Sequence, residues 1–315
     1  MSTAASEVDR LRTAEVIAAL SLATDLGIGV PLEHGLHSTL FAMRLAERMH
    51  VDEETAWQTY YACLLFYVGC TAGAETTDEI FGDERALTTY ATPVRFGSRP
   101  EMMAGVMRAI APPGDSAPMR AIRLVRGLPR AARAFKYETT AFCQVAQMLT
   151  DRLGLPASIK PLFAHFAERW DGKGQPDGAK GDQIPLAVRI LHVARDAAFQ
   201  RMLGGDEHAA QVIRSRAGGA FDPSIAVQCA DDAAEILSLD PEASMWDEVL
   251  ASEPDQQLML DGLAIDRALE AMSSFADLIS RYFVGHSVGV ATLAAGAAQS
   301  WGSSRPMSSG SAERR

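Results

Sequence analysis

At 315 residues, with 48% hydrophobic and 22% charged residues and a mean hydropathy near zero, the chain has the composition of a protein that buries a substantial core, which excludes global disorder. Its 29 Lys and Arg against 40 Asp and Glu give a net charge of -11, so the chain as a whole repels phosphate backbones and is expected not to bind nucleic acid. Length favours two units over one uniform globule. The start, MSTAASEVDR, lacks a basic segment followed by an apolar run, and the most apolar stretch, Val284 to Ala298, is shorter than the roughly 20 residues a bilayer core requires, so a cytoplasmic protein without a membrane partner is expected.

Taken in chain order, apolar residues recur at three- and four-residue intervals over Val8 to Leu26, Leu36 to His50, Glu53 to Val68, Pro100 to Ile110, Glu138 to Leu153, Ile159 to Trp170 and Leu186 to Leu203. Nothing alternates with period two, and the fold predicted is all-α. Asp52 before Glu53 and Asp222 before Pro223 are expected N-caps, because a carboxylate oxygen there takes up free backbone amides. WDGKGQPDGAKGDQIP, from Trp170 to Pro185, breaks any helix with its glycines and prolines and reads as an ordered loop between two helices. A further amphipathic helix is expected over Leu258 to Phe283, and the polar end SSRPMSSGSAERR is expected to be disordered. Cys63, Cys70, Cys143 and Cys229 stand in apolar surroundings without CxxC spacing and read as buried thiols.

One internal echo is visible. His37-Ser38, with alanines at 42 and 46, recurs as His286-Ser287, with alanines at 291 and 295, each 249 residues further on. That distance is too long for a solenoid and suits two copies of one large helical domain, the second of which stops soon after it begins.

The segment FAERWDGKGQPDGAKGDQIPLAVRILHVA, residues 166 to 194, resembles the name-giving stretch of HD-GYP domains in the HD phosphohydrolase superfamily. HSTLFAMRLAERMHV resembles that family's first histidine helix, YACLLFYVG resembles the helix of its histidine–aspartate pair, and YFVGHSVGVATLAAGAA resembles the opening of a second unit. The resemblance spans roughly residues 30 to 205. It implies an HD-domain-like helical bundle, a centre of iron or manganese ions, and cyclic di-GMP as the usual substrate of the family. The units it suggests are an N-terminal helix over 1–29, the HD-GYP-like domain over 30–245, a connecting helix with the start of a second, truncated unit over 256–300, and a tail over 301–315.

A cluster of divalent ions needs several neutral imidazoles and carboxylates converging on one point. Carried onto this sequence, the resemblance places the first histidine at His37, but the histidine–aspartate pair falls on Phe66 and Tyr67. The paired histidines fall on Phe166 and Ala167, with His165 one position away, which turns a helical side chain by about 100°. The later aspartate falls on Arg195, with Asp196 one position away, and the motif's tyrosine is Gln175. The residual metal-site positions are therefore His37, His165, Asp196 and, in the second copy, His286, and the structural reading of His37 is preferred. Gly172, Lys173, Gly174 and Lys180 could cradle an anion through backbone amides and amines, against the plainer reading of a glycine-built turn. Pairing of Arg195 with Glu168 or Asp171 across the old metal site is a further expectation.

Two functions stay open at this point. The first is a signalling or regulatory module that has lost most metal ligands, needs no cofactor, and senses a nucleotide-like ligand, associates with a signalling protein or forms a homo-oligomer. The second is a divergent metal-dependent phosphohydrolase or phosphodiesterase, acting on a nucleotide or cyclic di-GMP, in which His37 recruits Asp171, Asp196, Glu75 or Asp78 around iron or manganese. No Ser-His-Asp set, P-loop or dinucleotide fingerprint offers another chemistry.

Overall fold

The computed structural model describes residues 10–28, 30–68, 99–254, 257–278 and 280–301. The helices are α1 (Thr13–Ile28), α2 (His34–Arg48), α3 (Glu53–Leu65), α4 (Arg99–Ile110), α5 (Ala117–Arg152), α6 (Leu186–Ser215), α7 (Pro223–Asp231), α8 (Ala233–Ile236), α9 (Met245–Ala251), α10 (Gly262–Asp277) and α11 (His286–Ser300). The predicted all-α class holds, with one exception too short for a period-two pattern to reveal. β1 (Arg10–Arg12) and β2 (Met259–Asp261) pair antiparallel, Leu11 opposite Leu260.

α2 lies against both α3 and α6, and these three helices build the centre of the molecule. Leu36, Phe41 and Leu45 of α2, Tyr60, Tyr61 and Leu64 of α3, and Ile190, Leu191 and Ala194 of α6 are fully buried there. α1 and α10 add Ile17, Ala18, Ala268 and Ala271 to the same core. Both expected caps form: Asp52 accepts from the Thr55 amide and Asp222 from the Ser224 amide. Cys63 and Cys229 are buried free thiols, and burial pushes Cys229 up to about 12.

Three expected helices are different in the structure. Within Val8 to Leu26, Arg10–Arg12 is β1 and the helix begins only at Thr13. Ile159 to Trp170 is a 3-10 helix over Ala157–His165 followed by turns, because Pro161 brings no amide to an α-helical ladder. Leu258 to Phe283 is β2, α10 and then a 3-10 turn, Arg281–Phe283. The extended Met259–Asp261 segment finds a ladder partner in β1, and Gly262, at φ 40°, turns the chain into the helix. The polar tail lies outside the described residues.

The internal echo has a structural counterpart, but at a separation of 252 residues rather than 249, so that His286 answers to His34 and not to His37. β1 and β2 each lead into a 16-residue helix, α1 and α10, and each of these into a 15-residue helix, α2 and α11. Both second helices are entered through a left-handed residue, Glu33 at φ 67° and Gly285 at φ 78°, and both begin with a histidine. In both, an aspartate ten residues upstream accepts the second amide: Asp25 from Gly35, Asp277 from Ser287. The surroundings differ, since α2 is sandwiched in the core whereas α11 packs on α10 and has no buried residue.

Candidate active site

The site begins at the entry to α2. The buried phase of this helix runs through His34, Ser38, Phe41 and Leu45, at intervals of three and four, so His34 rather than His37 points into the centre. His34 Nε2 is 3.2 Å from the Tyr67 hydroxyl, and its ring meets Phe199 edge-on at 5.7 Å. Burial, then the charges of Arg195 and His37, push its pKa down to about 3. Behind it, Asp25 is buried at the start of α2 and accepts the Gly35 amide at 3.1 Å. Burial raises Asp25 to about 7 against the lowering pull of the Gly35 and His34 amides.

His37 is half-buried, lies 6.2 Å from the Phe41 ring in a stacked arrangement, and is lowered to about 4, first by burial and then by Arg201. Sequence reasoning missed His34, although the helical phase of the apolar residues around it carried the signal.

The residues that follow α3 close the site with aromatics. Phe66 stacks on Phe166 at 5.0 Å and meets Tyr67 edge-on at 4.8 Å. The guanidinium carbon of Arg195, a residue only 6% exposed, lies 4.6 Å from the Phe66 ring centre, a cation–π contact in a desolvated setting. One turn earlier on α6, His192 is buried with Nε2 3.0 Å from the Phe166 carbonyl oxygen. Burial, then Arg195, lower it to about 3.

Asp196, the neighbour of Arg195, is buried and forms an ion pair with Arg216, a partner twenty residues on that no sequence spacing announced. Burial raises the Asp196 pKa, and Arg216 and Arg195 pull against it. His165 ends the 3-10 helix, with a buried Nδ1 that has no hydrogen-bond partner. His286 opens α11 against Phe283, at 5.5 Å, on the α10–α11 hairpin. The four residual positions are thus each engaged differently, and among the described residues no group of three or more His, Cys, Asp or Glu side chains could hold a metal ion.

The glycine-rich loop is ordered around its own anions. Glu168 is fully buried, and one carboxylate oxygen accepts the amides of Asp177 and Gly178 at 2.8 and 2.9 Å. The expected pairing of Arg195 with Glu168 or Asp171 is corrected here: Glu168 takes the loop amides, and Asp171 pairs with Arg169 at 2.7 Å, which with the Lys173 amide holds it down near 2. The Lys173 amine stands 3.6 Å from Asp171, the Lys180 amide donates to Gln183, and Gly172 packs on the Lys180 side chain. Gly174 approaches Glu168 so closely that a Cβ would meet its Cα at 2.4 Å. An anion cradle over Gly172, Lys173, Gly174 and Lys180 therefore competes with carboxylates already in place. The candidate recruits Glu75 and Asp78 lie outside the described residues.

A divalent centre such as the resemblance implies does not fit the described donor set. A metal would meet the imidazoles of His34, His37 and His192 without a carboxylate free to join them, a guanidinium at Arg195 and aromatic rings at Phe66 and Phe166, since Asp171 and Asp196 are paired with arginines.

Comparison with known proteins gives four matches. A family model described as "HD domain" matches residues 117–225, which hold α5, the 3-10 helix, the loop and α6. The chain is 25% identical over 288 residues to "3'3'-cGAMP-specific phosphodiesterase 3" of Vibrio cholerae serotype O1 (strain ATCC 39315 / El Tor Inaba N16961), an alignment covering 88% of this chain and 61% of that relative. It is 36% identical over 72 residues to a protein of the same strain named "Probable cyclic di-GMP phosphodiesterase", covering 21% of this chain and 16% of that one. Among solved structures, a crystal structure of a cyclic GMP-AMP specific phosphodiesterase of V. cholerae superposes with a TM-score of 0.68 at 21% identity, over 94% of this chain and 67% of the other. No described helix is long and apolar enough to cross a membrane.

Proposed function

This chain belongs to the HD-domain phosphohydrolase superfamily, and from that premise we propose that it serves cyclic-dinucleotide signalling as a regulatory unit, sensing a ligand or associating with a protein, without cutting phosphodiesters at the centre formed by α2, α3 and α6. The observation that carries this reading is Arg195, seated on the Phe66 ring where a ligand-lined metal pocket would have to open. A fixed positive charge opposes a divalent cation, and the stacked Phe66 and Phe166 fill the volume that imidazoles would need. The cyclic dinucleotide enters through the names of the Vibrio relatives.

A second reading has its own support. Both Vibrio relatives are named phosphodiesterases, and one aligns over 88% of this chain, which speaks for a metal-dependent phosphodiesterase more than for a silent module. Under that reading iron or manganese would be held by His37 with carboxylates recruited from Asp171, Asp196, Glu75 or Asp78, and its chemistry would be activation of water for attack on phosphorus.

Elemental analysis of protein purified without chelators, with hydrolysis of 3'3'-cGAMP and cyclic di-GMP assayed on the same sample, separates the two. The first reading expects iron and manganese far below one per chain and no turnover. Near-stoichiometric metal with turnover overturns it in favour of the second.

A further inference from the structure

The net charge of -11 hides a local reversal. Between Ala117 and Lys136 the sequence carries Arg120, Arg123, Arg126, Arg130, Arg133 and Lys136 and no acidic residue. At helical spacing, steps of three and four keep the five arginines along one side of α5, and all five are exposed. The adjoining side of α5 packs through Leu124, Leu128 and Ala131 on Ala109 and Ile110 of α4, in a small core separate from the main one. Met119 and Ile122 lie among the arginines and Val125 beside them, exposed at 47%, 49% and 76%. Among the described residues one acid, Asp115, pairs with this stripe, through Arg123 at 2.9 Å.

We propose that this face of α5 docks on the surface of an anionic lipid bilayer. The stripe places guanidinium groups at headgroup level, where lipid phosphates and carboxylates supply the missing counter-charge, and the three aliphatic side chains enter the boundary between headgroups and acyl chains. The negative charge elsewhere in the molecule is screened over about 10 Å at 0.1 M salt, so the local stripe governs contact.

Other anionic occupants fit less well. A two-fold contact between two α5 faces would set arginine against arginine. In the acid-rich run of residues 217–266 of another copy, five of the twelve acids, Asp222, Asp231, Glu235, Glu248 and Glu253, already pair with Arg189, Arg214, Arg48, Arg44 and Arg12, and a contact through the others is the salt-sensitive dimer that the test below reads. Against a nucleic acid, the arginines could reach phosphates and guanine edges, but the exposed Met119, Ile122 and Val125 would gain nothing from a phosphodiester backbone.

Flotation of the full chain with vesicles of phosphatidylglycerol and phosphatidylcholine, against phosphatidylcholine alone, tests the proposal. The chain is expected to float with the anionic vesicles, to remain behind with neutral ones, and to be released by high salt. The triple variant Arg123→Glu, Arg126→Glu, Arg130→Glu should lose at least about tenfold in vesicle partitioning with an unchanged helical circular-dichroism signal. Should that variant fail to fold, Ile122→Ser with Val125→Ser serves in its place and should also weaken partitioning. The proposal is overturned if the parent chain ignores anionic vesicles, if it floats equally with neutral ones, or if a folded variant partitions like the parent. It is equally overturned if the stripe instead mediates a salt-sensitive dimer or duplex DNA binding that the triple variant abolishes.

Discussion

Arg195 acts on more than the ring beneath it. His34 and His192 are both depressed to about 3, by burial first and by Arg195 second, so they are neutral at physiological pH. Replacing Arg195 with Met keeps a long apolar side chain over Phe66 and removes the charge. Both imidazoles should then titrate higher, though still below the ordinary 6.5 because burial persists, and this is readable from their ring resonances by NMR. The same residues set the acid limit of stability. A histidine whose folded pKa lies below its unfolded value contributes stability above about 6.5 that is lost as the pH falls, roughly 2 kcal/mol per buried imidazole between pH 6.5 and 5. Asp25 runs the opposite way: raised to about 7, it contributes stability at low pH that is lost as the pH rises from its ordinary 3.8 through 7. Three lowered imidazoles, His34, His37 and His192, act against two raised carboxyls, Asp25 and Asp196, so the chain should lose stability modestly from pH 7 to 5. Asp25→Asn keeps an oxygen to accept the Gly35 amide and removes the buried charge. It should be more stable than the parent at pH 8, by on the order of 2 kcal/mol, and lose stability more steeply on acidification, as measured by urea unfolding at both pH values.

At the scale of elements, legibility in the sequence followed the range of the interaction. Helices α2, α3 and α6 were readable because a three-to-four-residue period is local, and the caps at Asp52 and Asp222 because each acid meets an amide two or three residues on. The loop was readable as a loop, but its internal wiring was not. Trp170 and Asp171 donate their amides to Ala220 and Gly219, some fifty residues away, and Glu168 serves as the anion that the glycine amides enclose. Motif matching pointed to Phe66 and Arg195 as positions of the site, but it could not show that the two stack on each other, nor that Asp196 belongs to Arg216. The close approach of Gly174 gives the loop a sharp test. Gly174→Ala drives a methyl into the Glu168 and Arg169 backbone, which cannot swing aside, and should cost about 1–3 kcal/mol or more. Gly114, whose Cβ would meet nothing within 4 Å, is the control, and Gly114→Ala should leave the urea midpoint nearly unchanged.

Across the whole molecule, the strand that opens the described chain is clasped to the segment that leads into α10, and the clasp is ionic as well as strand-paired. β1 sits on β2, and Arg12 at the end of β1 reaches Glu253 at 2.6 Å and the Leu250 carbonyl oxygen. Glu253 is buried, and its second carboxylate oxygen accepts the Tyr61 hydroxyl at 2.5 Å from the middle of α3. One carboxylate thus joins the N-terminal strand, the central helix and the segment that leads into β2. Glu253 ties the two halves of the repeated strand–helix–helix pattern, whose helices α1 and α10 also share one apolar core. Glu253→Ala leaves Arg12 without its carboxylate partner and Tyr61 with an unmet hydroxyl in the interior. Breaking a buried pair from one side costs about 3–5 kcal/mol, more than replacing both partners with apolar residues. Glu253→Ala should therefore lower the urea midpoint markedly, whereas Arg12→Met with Glu253→Leu should recover a large part of the loss. If the single variant matches the parent, the pairing of β1 with β2 and the apolar core hold the ends together unaided. If the double variant is no better than the single one, the Tyr61 hydroxyl bond carries most of the cost.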